Sequence, residues 1–181
     1  MPILVTYASK HGSTQDIAER IAATLHRHGR EVIVQPVHAV ENPVAYEAVI
    51  LGSAIYFGSW LKEATEFVRR HCDELAARPV WLFSSGPLGD TPSVDPKEIA
   101  EFQAAIHPRG HRTFVGSLDR HDLSFTERMI VKAVKAPDGD FRDWDDINTW
   151  AESIAQALMP AGTPPISTHD TPPAVSHPLQ P

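Results

Sequence analysis

The chain has 181 residues, 42% of them hydrophobic and 22% charged, which suits one domain with a proper core. A net charge of −7 excludes a nucleic-acid binder, which needs a basic footprint. No apolar run reaches the eighteen or so residues that span a bilayer, and a single cysteine, Cys72, leaves no internal disulfide to form. The first residues run straight into an apolar stretch rather than a secretory leader, so the expectation is a protein of the reducing cytoplasm, at most peripheral at the inner face of the membrane.

In chain order, Ile3 to Ala8 reads as a strand and Thr14 to about His28 as a helix, with Ile17, Ala18, Ile21, Ala22 and Leu25 at helical spacing and Gly29 as its stop. Between them lies Tyr7-Ala8-Ser9-Lys10-His11-Gly12-Ser13-Thr14. Strand, hydroxyl-rich turn, helix is the order a phosphate site requires. The first amides of a helix lack intrahelical partners and carry the positive end of the helix dipole, so an anion there collects several N–H donors. Gly12 lets the backbone close around the anion. Ser9, Ser13 and Thr14 add hydroxyl donors, and Ser13 or Thr14 is also expected to cap the helix.

A short strand, Glu31 to Pro36, follows, then a connection turning at Asn42-Pro43. Ala48 to Gly52 is an unbroken apolar run, the mark of a central parallel strand covered on both faces. After it, Ser53 to Trp60 reads as a loop carrying three aromatics. Ala54, Ile55, Tyr56, Phe57 and Gly58 are its candidate binding residues, with Tyr56 or Phe57 expected to stack on a flat ring and Trp60 undecided between loop and core. A helix is expected from Leu61 to about Ala76, with Cys72 as a small, partly buried apolar residue. Pro79 to Ser84 is a fourth strand. Ser84, Ser85, Gly86, Pro87, Leu88, Gly89 and Asp90 form a third loop, whose small residues let its backbone approach a ligand and donate N–H bonds.

Asp95 is expected to cap a helix reaching about Ala105, with Pro96 in its first turn, and Arg112 to Leu118 supplies a fifth strand. Residues 119–143 intervene before a last helix that opens at Trp144 and ends near Leu158. That segment holds an amphipathic stretch, 124–135, with Phe125, Met129, Ile130 and Val134 on one face and Arg128, Lys132 and Lys135 largely on another. It reads as a helix packed on the sheet, or as a basic face for peripheral contact with an anionic membrane. His107, His111 and His121 match no metal-ligand spacing, and Asp138 and Asp140 around Gly139 read as a turn. Residues 160–181 hold seven of the sixteen prolines and no periodicity, and read as a disordered tail.

The alternation predicts an α/β fold, a doubly wound five-stranded parallel sheet with helices on both faces, filling residues 1–159. The three loops fall at the carboxyl ends of strands, where such sheets bind ligands. A Walker motif is excluded because the only Lys of the first turn precedes its Gly, and a dinucleotide fingerprint because the turn has one Gly instead of three. A phosphoacceptor receiver domain needs an acidic pair after the first strand and an Asp ending the third, where this chain has Ala8-Ser9 and Gly52-Ser53.

Tyr7, Ser9, Gly12, Thr14, Ala18 and Ile21 fill the places of the flavodoxin signature, with Thr6 as a departure in the preceding strand, where an apolar residue is usual. The resemblance implies that the first turn, Ser9 to Thr14 with Lys10 and His11, holds the 5′-phosphate of FMN, and that the other two loops meet the flavin ring. It also implies that the peptide at Gly58 can reorient when flavin N5 gains a proton. Electron-carrier flavodoxins usually place an aromatic in the third loop to shield the ring, and residues 84–94 have none. The inserted segment before a Trp-led last helix, with Gly52-Ser-Ala-Ile-Tyr-Phe-Gly58 and Phe67-Val-Arg-Arg-His71, resembles the menaquinone-dependent protoporphyrinogen oxidases. That likeness implies an FMN oxidoreductase passing electrons from a porphyrinogen substrate to a quinone in three two-electron steps, hydride transfer to flavin N5 being the simplest formulation. No side chain stands out as a base. The alternative is a flavodoxin-type carrier serving redox-protein partners, for which the acidic charge is useful.

Overall fold

Strand β1 (Ile3–Ala8) is apolar on both faces because it lies inside the sheet, with Ile3, Leu4, Val5 and Thr6 all fully buried. The computed structural model describes residues 1–86, 95–118 and 139–159. The expectations for Pro87, Leu88, Gly89 and Asp90, for His121, for the stretch 124–135, for Asp138 and for the tail 160–181 lie outside the described residues.

Helix α1 (Ser13–Arg27) buries Ile17, Ile21 and Leu25 and ends before Gly29, whose φ of 74° reverses the chain at no steric cost. Strand β2 (Val32–Pro36) follows; Asn42 then accepts the Val44 amide proton at 2.9 Å in a short 3₁₀ turn, as the Asn-Pro pair predicts. The remaining sheet strands are β3 (Ala48–Tyr56), β4 (Ser59–Trp60), β5 (Val80–Ser85) and β6 (Gly110–Phe114). The order β2-β1-β3-β5-β6 is parallel throughout, and β4 folds back antiparallel on β3. One face is covered by α1 and α5 (Trp144–Ala157), where Ile147, Ala151 and Ile154 meet Ile3, Val5, Ile50 and Phe83. The other is covered by α2 (Lys62–Arg70), α3 (Cys72–Ala76) and α4 (Glu98–Ile106), through Phe67, Val68, Leu75, Ile99 and Phe102. This is the expected doubly wound sheet of five parallel strands.

Five local expectations are corrected. Strand β3 does not stop at Gly52 but runs to Tyr56, because Ser53 and Ala54 pair with Ser84 and Ser85 of β5 while Ile55 and Tyr56 pair with Trp60 and Ser59. The expected 61–76 helix breaks for one residue at His71 (φ −112°, ψ 28°), whose ring lies 4.9 Å from that of Phe67. Helix α4 starts at Glu98, and Asp95 faces His111 instead of capping it. The fifth strand ends at Phe114; Ser117–Leu118 (β7) instead pairs antiparallel with Gly139–Asp140 (β8) in a separate two-stranded sheet. Finally, neither Ser13 nor Thr14 caps α1: its capping position is Gly12, which has no side chain to offer the helix amides.

The β7–β8 ribbon is tied to the main fold by Arg142. Its guanidinium bonds Asp140 through Nε and Nη2 and Asp16 in the first turn of α1 through Nη1, each at 2.7 Å, and lies 4.5 Å over the Trp144 ring. These hydrogen bonds hold the Asp140 carboxyl below the usual carboxylate range. The β7–β8 ribbon is therefore rooted beside the first turn of α1. Among the described residues no helix is long and apolar enough to cross a membrane.

Candidate functional site

The turn after β1 is built around Gly12, at φ 85°, a left-handed value that L side chains rarely adopt. Its amide donates to Ser9 Oγ at 3.1 Å, and its carbonyl accepts from the Asp16 amide at 3.0 Å, which starts the helix. The Thr14 hydroxyl is the informative group. It is 1% exposed, and its Oγ1 has no hydrogen-bond partner among the described residues. An orphaned buried hydroxyl costs about 1–3 kcal/mol, and in a helix-initiating turn with no side-chain cap its natural partner is an anion held by the same turn. The donor set therefore fits a phosphate.

The second and third loops converge on this turn. Ser13 Oγ lies 3.4 Å from Ser85 Oγ, joining α1 to the end of β5. Lys10 Nζ sits 5.1 Å above the Tyr56 ring, and the His11 ring is 6.4 Å from it, so the β3–β4 hairpin leans on the turn after β1. Ser9 and Lys10 also border an open groove of about 400 Å³ with Leu61, Lys62, Glu63 and Glu66. Ala54 and Ile55 are half-buried strand residues, and Ile55 Cβ approaches Gly86 closely enough that a methyl group on Gly86 would meet it at 3.7 Å. Gly86, at φ 113°, donates its amide to the Phe114 carbonyl at 2.9 Å, so that N–H already has a partner.

Phe57 and Gly58 form the two-residue turn of the hairpin, with φ of 49° and 74°. Both values are positive, as in a type I′ turn, which favours Asn-Gly. Phe57 thus pays a left-handed penalty while leaving its side chain 87% exposed. Phe57→Gly is expected to stabilise the ligand-free protein by about 1 kcal/mol in denaturant unfolding. No gain in the midpoint would show that the turn is unstrained.

Trp60 is a core residue: it is 4% exposed, stacks 5.4 Å from Phe102, and donates from Nε1 to Ser84 Oγ at 2.8 Å. Ser84 is fully buried, and its hydroxyl also lies 2.9 Å from His111 Nε2. Its side chain therefore faces inward, away from the first turn. Two participants were missed in the sequence. One is His111, read there only as a member of a histidine cluster. The other is Gly116, a buried residue at which a Cβ would stand 3.3 Å from Ser85 Oγ and 3.5 Å from both Gly86 N and Ser13 Oγ. A glycine inside an expected strand is itself a sign of close backbone approach.

Comparison with known proteins agrees with this geometry. The flavodoxin domain family matches residues 4–145. The chain is 22% identical over 172 residues to protoporphyrinogen IX dehydrogenase [quinone] of Escherichia coli K12, covering 86% of this chain and 95% of that one. A flavodoxin from the domain Archaea superposes with a TM-score of 0.58 at 19% identity, covering 87% of this chain and 98% of its own. Oxidised flavodoxin 2 from Bacillus cereus gives 0.58 at 23% identity, covering 87% and 100%. With the family model matched over most of the chain and flavodoxins among the structures that superpose on it, the chain belongs to the flavodoxin domain family and is a flavoprotein with FMN as its cofactor.

Proposed function

We propose that the protein is an FMN-dependent oxidoreductase that takes electrons from a porphyrinogen, protoporphyrinogen IX or a close relative, and delivers them to a quinone. One observation carries the reading: the likeness to the Escherichia coli dehydrogenase covers 95% of that enzyme. The flavodoxin reading as a pure electron carrier is favoured by the net charge of −7, which suits docking to basic redox partners. Against it stand the length of chain between β7 and β8 and the sequence of residues 84–94, which holds no aromatic of the kind that shields the ring in electron carriers.

In this reading Ser9, Lys10, His11, Gly12, Ser13 and Thr14 hold the FMN phosphate, Thr14 by donating its buried hydroxyl proton. Ala54 to Gly58 and Ser84 to Asp90 are the two proposed ring-binding stretches, Tyr56 and Phe57 offering aromatic faces, Ser85 and Gly86 a small-residue edge, and Ser84 its backbone alone, since its side chain turns inward. When bound, FMN supplies two-electron redox chemistry: three rounds remove six electrons and six protons from the porphyrinogen and reduce three quinones to quinols. Residues 124–135 are the proposed contact with the membrane that carries the quinone, which makes the protein cytoplasmic and peripheral.

The test is anaerobic mixing of FMN-loaded protein with protoporphyrinogen IX. Flavin absorbance is expected to bleach faster than for free FMN, to recover on addition of a menaquinone analogue, and to be accompanied by porphyrin fluorescence. No bleaching by porphyrinogen, with ready one-electron reduction by a flavodoxin reductase, would make the protein a carrier.

A further inference from the structure

Ser84, His111 and Asp95 carry the three side-chain types of a hydrolytic triad, in the matching order of contacts. Ser84 Oγ is 2.9 Å from His111 Nε2, and His111 Nδ1 is 3.5 Å from Asp95 Oδ1. A nucleophile it is not: Ser84 is fully buried, and the Trp60 indole N–H already bonds its oxygen at 2.8 Å. The hydrogen-bond logic points elsewhere. Trp60 Nε1 only donates, so Ser84 Oγ accepts from it, and in the Nδ1–H tautomer of His111, whose N–H faces Asp95, the Ser84 hydroxyl donates to Nε2. The imidazole thereby links Ser84, on the last turns of β5 beside Ser85 and Gly86, to Asp95, just ahead of α4. It does so from β6, 27 residues from Ser84 in sequence.

We propose that His111 is a positioning residue of the flavin site: as a neutral imidazole it clasps Ser84 to Asp95, holds the Ser85-Gly86 edge against Ser13, and makes FMN affinity depend on its protonation. The proposal rests on the FMN assignment. A proton added at Nε2 removes the acceptor of the Ser84 hydroxyl and forces that O–H to turn away, with Oγ then accepting from both Trp60 and His111. The side chain is 7% exposed, and burial lowers its proton affinity, with the Asp95 charge opposing this in part. The other groups around it are accounted for. On α4, Glu98 accepts the Trp60 amide proton at 3.3 Å; on β6 itself, Arg112 pairs with Asp146; just before β6, Arg109 lies 5.4 Å over Trp81. The sign follows: a His whose folded-state proton affinity is lowered contributes stability that is complete above about pH 6.5 and is lost as pH falls below it.

Two measurements test this. In the FMN-free full chain, long-range proton–nitrogen NMR is expected to show His111 as the Nδ1–H tautomer at pH 7.5, titrating below an unfolded-chain histidine. An Nε2–H tautomer overturns the clasp whatever FMN does. In FMN titrations, wild-type affinity is expected to fall between pH 7.5 and 5.0 about tenfold more than that of His111→Gln, which keeps a neutral acceptor for Ser84 but cannot titrate. The FMN phosphate itself titrates near pH 6, as phosphate monoesters do, so the comparison is the ratio of the two proteins. Equal pH dependence in both overturns the proposal. An Nδ1–H tautomer with no FMN binding by the wild-type chain at any pH overturns the cofactor assignment instead, and this proposal with it.

Discussion

Replacing Thr14 by Val is expected to make the FMN-free protein more stable and its FMN complex weaker. The two side chains have nearly the same shape, so the exchange isolates one hydroxyl. In the ligand-free fold that hydroxyl is 1% exposed with no partner among the described residues, and removing it relieves an unmade hydrogen bond worth about 1 kcal/mol. For a chain of this size the melting temperature rises by roughly 2–4 °C. In the complex the same hydroxyl donates to a phosphate, a charge-assisted bond worth about 1.5–3 kcal/mol, so Kd rises roughly 10- to 100-fold. Fluorescence titration of the apoprotein measures it. Riboflavin, which lacks the phosphate, is the control: both proteins are expected to bind it equally, and Thr14→Ser to bind FMN nearly as wild type does. If Thr14→Val binds FMN with unchanged affinity, the hydroxyl does not reach the phosphate.

That the first turn was readable from the sequence has a physical reason. Its parts are local: a buried strand, a Gly with positive φ and a helix start fall within Ile3 to Ile17, so residue order encodes their arrangement. The alternation of strands and helices was readable for the same reason, since burial on two faces leaves continuous apolar runs such as Ala48 to Leu51. What was illegible depends on contacts distant in sequence. Asp95-Pro96 satisfies the rules for a helix start, yet the Asp95 carboxylate is engaged by His111 and the helix begins three residues later. A tertiary interaction overrode a capping preference. The β3–β4 hairpin was hidden because its turn is Phe57-Gly58, not Asn-Gly, and because Gly52 looks like the end of a strand. The Ser84–His111 bond joins strands that only the folded sheet makes neighbours.

Gly52 is therefore a close approach rather than a break, its missing side chain leaving room for the Phe83 ring, and adding a side chain there should have the largest effect on stability. It pairs with Phe83 across β3 and β5, and a methyl group added at Gly52 would stand 2.0–2.3 Å from three atoms of the Phe83 ring. The ring cannot swing aside, because Phe83 is fully buried and packs edge-on against Trp150 and tilted against Phe114, each at 6.3 Å. Either the strands separate or three aromatics repack. Gly52→Ala is expected to cost about 3 kcal/mol or more, which lowers the melting temperature by roughly 6–12 °C. The strain is expected to reach the proposed flavin loops, since the residues immediately beyond this pair are Ser53 and Ser84, which lead into the hairpin and into Ser85-Gly86. Weaker FMN binding should accompany the lower melting temperature. The double variant Gly52→Ala with Phe83→Leu separates clash from other causes: removing ring atoms at the point of contact should restore much of the lost stability, so that the two changes are strongly non-additive. Simple additivity would mean that Gly52 is required for its backbone and not for the space it leaves to Phe83.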